Sequence, residues 1–490
     1  MTRRVTPVDS LTVVSDESGN EIRPPGGVPD GVLPPMGGRI SLVPISEYDY
    51  RAAQEQIRED DSPGVTIEGV GGRLPESRTF ELKPGIGEKW FVDHVDDHYR
   101  WVIPYANAGA CGVQLELREL KLPQGSAIWS VGPERRPHRM PLFKSEDHAG
   151  WWTPSTYGDF GFLLVTVPRE LFGGGEPPRF ELADAMEIVS LECLGEQTWV
   201  NLGRRSRIPL ATRSRRRFSR DPLSVTSRSV PQGEVLDLVK NAVAACGHVR
   251  CGESGLAVRV SHSGALIRKR DQVGVENRFF LTANHAFTAR KCDVNARCME
   301  YQSFEAFWDY TATRTGSFGG YLSCEIRGNV PRSLGAKVLK VSSATDFALL
   351  DLYGLPADSL PWTFLGWSVD PPVEGANVFR VSHPLTYPQA YSAGVIAGKS
   401  ELDPDYYSCC RSRAEERFLR TDLGMGVDRP GSSGAPLILR VSDAGSEQPR
   451  VVGQLWGVCK RQGEDAFYSI DGRFSETYQQ IKEWIDPPLG

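Results

Sequence analysis

FFLTANHAF (279–287) runs from aromatic and β-favouring residues through a small turn into a histidine and an alanine. A strand of that apolar character belongs in a sheet, so an ionisable imidazole at its end asks for a reason. Taken alone, His285 reads as a half-buried, hydrogen-bonded residue without chemistry. Two later stretches change that reading. VSSATDFALLDL (341–352) puts Asp346 at the mouth of an apolar strand, and DRPGSSGAPLIL (428–439) sets two serines in a glycine-bounded turn before another. Separately, GSSG is an ordinary flexible turn and TDFALL an ordinary strand start. Jointly, at three strand edges and in the order His, Asp, Ser, they supply the parts of a nucleophilic triad.

The chemistry explains the residue types. A serine hydroxyl is a weak nucleophile until a neighbouring imidazole takes its proton. A buried carboxylate fixes the imidazole's tautomer and stabilises the imidazolium that forms. On this reading His285 is the base, Asp346 its orienting acid and a serine of the glycine-bounded turn the nucleophile. Gly431 lacks a Cβ and can turn its N–H inward. With the N–H of Ser433 it would form an oxyanion hole, at about 3–4 kcal/mol per donor.

Composition sets the frame. A chain of 490 residues exceeds one compact core, so two or three domains are expected. Apolar content of 40% and charged content of 24% are those of a globular chain. The net charge of −6 argues against general nucleic-acid binding. No run reaches the roughly 18 apolar residues of a membrane span, and the N-terminus carries no signal-peptide h-region. Ten cysteines pull the other way, toward an oxidising compartment.

Residues 1–75, rich in Gly, Pro and acidic residues, read as a mostly flexible leader with one short helix near 47–59. From 76 to 195 period-two alternation sets in. VQLELREL has the pattern of a strand with one wet face, and FGFLLVTV (160–167) is strand-sized. This is a small all-β domain. The segment 196–240 follows as an arginine-rich linker, read either as a solvated loop or as a protease-sensitive connection. GEVLDLVKNAVAAC (233–246) has helical spacing, and ETYQQIKEWI (476–485) closes a second β-rich region occupying 241–490.

LTANHAF, TDFALLDL and PGSSGAPLIL resemble the His, Asp and Ser boxes of the chymotrypsin-like serine peptidases. More narrowly they resemble the bacterial lysyl endopeptidase family, whose boxes run close to LTANHC, SDFTLL and PGSSGSPL. VVGQLWG (451–457) matches that family's following strand, and FWDYTA (307–312) and GWSVDPP (366–372) sit at comparable segments. Upstream, YRWVIPYANAGACGVQLELRELKLPQGSAIWSV and WWTPSTYGDFGFLLVTVP resemble the family's β-sandwich pro-region. The resemblance covers residues 85–170 and 246–475.

It implies an all-β chain: a small β-sandwich ahead of a chymotrypsin-like double β-barrel, acting as a serine endopeptidase on polypeptides through an acyl-enzyme. It assigns His285, Asp346 and Ser433 the roles given above, and Leu455, Trp456 and Gly457 an edge for pairing with substrate backbone. Specificity is left open. The family's lysine-selecting aspartate falls on Ser469, with Asp471 beside the Gly-Arg pair. The trypsin-type pocket-floor position is Val427. A basic P1 residue such as lysine and a neutral one therefore remain competing expectations. The resemblance also implies the disulfides Cys246–Cys459 and Cys251–Cys324, with Cys292–Cys298 as an added short loop. The family's cysteine after the catalytic histidine is Ala286 here, and its partner position is His262, so both halves of that bridge are missing together. Removal of a pro-region ending near 240, for instance after Lys240, a monomeric state and secretion follow as further expectations.

No cofactor or metal is expected. HVDDH (94–98) would place two imidazoles on one helix face, but no third ligand follows it. Trp151 and Trp152 read as sandwich core, and His383 as a packed histidine. The rival readings are a viral-type processing protease, a peptidase-like module that binds without cleaving, and a glycan-binding sandwich.

Overall fold

The computed structural model describes residues 24–29, 39–59, 66–85, 90–189 (apart from 108, 142–149, 159 and 173–175), 233–251, 257–270, 278–287, 300–311, 327–356, 362–397, 417–426, 428–443, 446–460 and 467–488. The N-terminal half contains β1 (Ile40–Ser41), α1 (Glu47–Glu59), β2 (Thr66–Val70), β3 (Arg78–Glu81), β4 (Phe91–Val95), β5 (His98–Ala106), β6 (Gly112–Lys121), β7 (Ala127–Val131), β8 (Pro137–Arg139), β9 (Trp151–Trp152), β10 (Thr156–Tyr157), β11 (Phe160–Pro168) and β12 (Arg179–Ile188). After α2 (Glu234–Ala242) come β13 (Val243–Cys251), β14 (Ala257–Leu266), β15 (Phe279–Ala283), β16 (Glu300–Phe307), β17 (Arg332–Ser342) and β18 (Phe347–Leu352). The last group is β19 (Gly366–Trp367), β20 (Asn377–Ser382), β21 (Ala390–Ile396), β22 (Phe418–Met425), β23 (Pro436–Asp443), β24 (Ser446–Lys460), β25 (Phe467–Arg473) and α3 (Phe474–Ile485).

The sandwich and double barrel are both present. One sandwich sheet runs β1-β5-β11-β7-β8, with β4 on β5; the other holds β10, β6, β12, β3 and β9. Trp101, Ile103, Leu115, Leu163, Phe180 and Trp151 fill the space between them. The first barrel closes as β14-β13-β16-β17-β18-β15 through the β14–β15 pairing. The second closes as β24-β23-β20-β21-β22-β25 through β24–β25. Closure removes the exposed edges that open sheets must protect. No helix among the described residues is long and apolar enough to cross a membrane.

Several expectations need correcting. The helix in the leader is α1, but the leader also supplies β2, which is buried along its whole length. β2 pairs with β12 of the sandwich through Ile188↔Gly69 and with β14 of the barrel through Val260↔Ile67. One sheet thereby runs unbroken from sandwich to barrel. The wet face of VQLELREL is covered at Gln114 and Glu116 and exposed from Arg118 on. Gln114 is fully buried, and its Oε1 accepts a hydrogen bond from Arg259 Nη1 of the barrel at 2.8 Å. The helix at 233–246 stops at Ala242, where Val243 turns extended and starts β13. His94 and His98 sit on the β4–β5 hairpin, with Val95 opposite His98, so no helix brings them to one face.

The Cys246–Cys459 bridge is not formed. Cys246 is a free, buried thiol in the first barrel's core, within 3.7 Å of Ala244 O. Its strand pairs with β14 and β16, whereas β24 belongs to the second barrel. Cys111, which is in none of the expected pairs, is disulfide-bonded. Cys292, Cys298 and Cys324, the side chains of Cys251 and Cys459, and residues 196–232 of the expected linker lie outside the described residues, while its last stretch, from 234, is helix α2.

The junction around β2 is charged and dry. Glu68 accepts from Arg259 Nε at 2.5 Å and from Arg327 Nη1. Arg259 Nη2 donates to Glu305 Oε2 at 2.6 Å, and Glu305 also receives Ser155 Oγ from the sandwich at 2.6 Å. Burial alone would push the Glu68 carboxyl up, but Arg327 and Arg259 outweigh it and hold it below the usual range. Arg327 also lies over the ring of Phe307, 4.6 Å from its centroid. A buried pair of this kind is costly to break, because the surviving partner is left charged and unsolvated. Cutting away everything before residue 241 would do that to Arg259 and Arg327. Glu68→Gln is expected to cost about 3–5 kcal/mol, seen as a lower thermal midpoint of the full chain; an unchanged midpoint would contradict this account of the junction.

Candidate active site

The strand expected at 279–283 is β15, and His285 follows it in a short 3-10 turn, Asn284–Ala286. Asp346 precedes β18, which lies beside β15 in the register Ala283↔Phe347. Its φ of 59° falls in the left-handed region, which aspartate tolerates better than most residues. That turn aims the carboxylate at the histidine. Asp346 Oδ2 accepts from His285 Nδ1 at 2.6 Å, and Oδ1 accepts from the His285 backbone N–H at 3.0 Å. The Asp346 carbonyl adds a third contact, from Asn284 N at 3.0 Å. The pair is buried, with His285 5% and Asp346 1% exposed.

Ser433 stands in the turn ahead of β23. Its carbonyl accepts from Ser263 N of β14 at 2.9 Å, and Gly431 O accepts from Ser263 Oγ at 2.8 Å. Gly434 (φ 81°) packs so tightly that a Cβ would collide with Thr282 Oγ1, Ala283 N and Ser263 O. These contacts seat the Ser433 turn against the end of β15, beside the His285 turn. Gly431 (φ 94°) is equally confined, because a Cβ there would lie 2.8 Å from Leu385 N. Within the turn, Ser432 N donates to Arg429 O, Ala435 N to Ser432 O and Gly434 N to Leu455 O. The two serines differ. Ser432 Oγ receives Ser382 Oγ at 3.0 Å and faces the second barrel.

The absent disulfide has a structural replacement. His248, from β13, donates through Nε2 to Ala286 O at 2.9 Å. Since a carbonyl only accepts, the His248 proton sits on Nε2, and His248 Nδ1 faces His262 Nε2 at 3.2 Å. His262 Nδ1 lies 2.8 Å from Thr282 Oγ1. Ala286 and His262, where the resemblance would place a disulfide, are therefore linked through the ring of His248. Burial pushes the His262 imidazole down to about 3 and His248 well below its ordinary value, so both rings are neutral at neutral pH. Phe287 stacks on His248 at 4.4 Å and shields the chain.

Ser469 and Asp471, two of the positions expected to bear on specificity, lie in a second buried cluster. Arg380 of β20 donates from Nη1 to Asp428 Oδ2 at 2.7 Å and from Nη2 to Asp471 Oδ1 at 2.6 Å. Ser469 Oγ donates to Asp471 Oδ2 at 3.0 Å, and Ser392 Oγ to Asp428 Oδ1 at 2.7 Å. Burial raises the Asp471 carboxyl to about 6, against the pull of Arg380 and with Asp428 adding to it. Leu455 N donates to Ala435 O, Trp456 is buried, and a Cβ at Gly457 would meet nothing within 4 Å. Val427 lies outside the described residues.

Arg380 and His248 were not singled out by sequence. Arg380 interrupts the apolar run VFRVS (378–382), which was the available signal. His383 is buried; its N–H donates to Ser263 Oγ at 2.9 Å, and its ring stacks on Tyr310 at 5.6 Å. Trp151 and Trp152 are both buried, the first in the sandwich core and the second against Val249 and Ala257 of the barrel. No group of three or more His, Cys, Asp or Glu side chains among the described residues is arranged to hold a metal.

Residues 236–469 match the family model for the lysyl endopeptidase C-terminal domain. No curated protein sequence matches the chain. Among solved structures it is similar to the active form of the Rv3671c protease from M. tuberculosis, at 16% identity and a TM-score of 0.33 over 54% of this chain and 90% of that one. An inactive form of the Rv3671c protease aligns at 15% identity and a TM-score of 0.32, over 53% of this chain and 96% of that one. An HtrA-type protease, AlgW, with a tripeptide aligns at 15% identity and 0.31, over 51% and 62%. The family match spans the segments carrying His285, Asp346 and Ser433. The chain has a chymotrypsin-like double β-barrel and is similar over residues 236–469 to the C-terminal domain of the lysyl endopeptidases.

Proposed function

We propose that the protein is a serine endopeptidase working through Ser433, His285 and Asp346. The observation that carries this reading is the two-point grip of Asp346 on His285, at 2.6 and 3.0 Å. With Nδ1 committed to the carboxylate, Nε2 is the nitrogen left for proton transfer. Ser433 Oγ attacks the scissile carbonyl carbon as its proton passes to Nε2, and the carbonyl π electrons move onto oxygen. The N–H groups of Gly431 and Ser433 receive that oxyanion. On collapse the C–N bond breaks, and the imidazolium returns its proton to the departing amine. Water then repeats the sequence on the acyl-enzyme and restores the hydroxyl.

The side chain before the scissile bond is proposed to be neutral. Asp428 and Asp471, the carboxylates next to the two family selectivity positions, are already held by Arg380. A lysine ammonium entering there would meet a resident cation and no uncommitted partner, an arrangement that desolvation makes unfavourable.

Three outcomes follow. Ser433→Ala should lower kcat on a cleaved peptide by at least about 1,000-fold, while Ser432→Ala should stay within about tenfold, because its hydroxyl is turned toward Ser382. The reverse ranking would move the nucleophile. In a peptide library varied at P1, kcat/KM for lysine should fall about tenfold or more below the best neutral residue; a lysine optimum would overturn the specificity argument. The third outcome concerns pH. Asp471 has a folded pKa of about 6, above its ordinary 3.8, so its stabilising protonation is complete below 3.8 and lost as pH rises through 6. Asp471→Asn mimics the protonated form and should raise the thermal midpoint near pH 8, the gain vanishing below about pH 4. A gain that is constant across that range would contradict the assignment.

A further inference from the structure

β2 also ends at the cleft. β14 borders the Ser433 turn through the two bonds from Ser263, while Leu455 of β24 borders its other side by accepting from Gly434 N at 2.8 Å. A polypeptide laid across Ser433 would thus have one backbone edge on each side. On the peptidase reading, β24 residues 455–457 receive the acyl side, and space is open at Gly457. The opposite edge, β14, would receive the residues that leave with the amine. It is taken.

β2 runs antiparallel along that edge, pairing Thr66 with Ser261, Ile67 with Val260, Gly69 with Arg259 and Val70 with Val258. Thr66, 5% exposed, reaches the turn itself: its Oγ1 would lie 3.1 Å from a Cβ on Gly431. That hydroxyl has no hydrogen-bond partner among the described residues. Nor is β2 an occupant that a substrate strand could displace, since Glu68 is locked between Arg259 and Arg327. Strand addition needs an unpaired edge.

We infer that β2 fills the leaving-group side of the cleft, so that the enzyme selects substrates by their acyl side and takes no strand-pairing contact from residues beyond the scissile bond. The inference rests on the peptidase reading, and the test separates the two. Peptides sharing one acyl side and carrying one, two or four residues after the scissile bond are assayed with the full chain, beside labelling by a small serine-directed phosphonate. kcat/KM should stay within about twofold across the series. A rise of about tenfold with length, equivalent to about 1.4 kcal/mol, would show an available edge and overturn the inference while leaving the peptidase reading intact. Absence of both cleavage and labelling would remove the peptidase reading, and the inference with it.

Discussion

The contact on which most of this molecule depends is the one between Glu68 and Arg259. It sits at zero exposure where sandwich, leader and first barrel meet. Two charges in such a place are tolerable only while each has a partner and its remaining hydrogen-bonding capacity is met. Here Gln114 and Glu305 accept from Arg259, Arg327 donates to Glu68, and Ser155 in turn holds Glu305. The result is less a pair of domains on a linker than one sheet with a polar seam. Specificity of docking is a reasonable return for the cost of burying charge, because no other register of β2 would bring Glu68 to Arg259.

The seam also orders the cleft. β14 carries Arg259 on one stretch and Ser263 on the next, so the strand that anchors the sandwich is the strand that receives the Ser433 turn. Asp346 and His285 are set by a different part of the same barrel, through adjacent strands β15 and β18. The nucleophile turn comes from the second barrel. Chemistry would thus take place where both barrels and the leader strand converge.

The parts legible in the sequence were those whose signals are local. A strand ending in NH, a TD pair opening an apolar strand and a GSSG turn each carry their meaning within ten residues. The period-two runs gave the sandwich, and the spacing at 47–59 gave α1. What escaped depended on distant partners. TIEGV (66–70) looks like loop sequence because its glutamate seems to belong in water; it is buried by arginines nearly 200 residues away or farther. Gln114 looked solvent-facing for the same reason. Cys246 was assigned to Cys459 by resemblance, whereas strand pairing points it into the first barrel. Arg380 could be noticed in its apolar run, but its two aspartates could not be named from there.

The histidine chain behind Ala286 has a bearing on where such an enzyme can work. A cystine at that place would tie the position of His285 to the thiol–disulfide balance of the surroundings. Imidazole nitrogens bonded to one another and to a carbonyl carry no such dependence, and two rings kept uncharged by burial are also indifferent to mild acid. The fastening of His285 should therefore hold in reducing and oxidising surroundings alike.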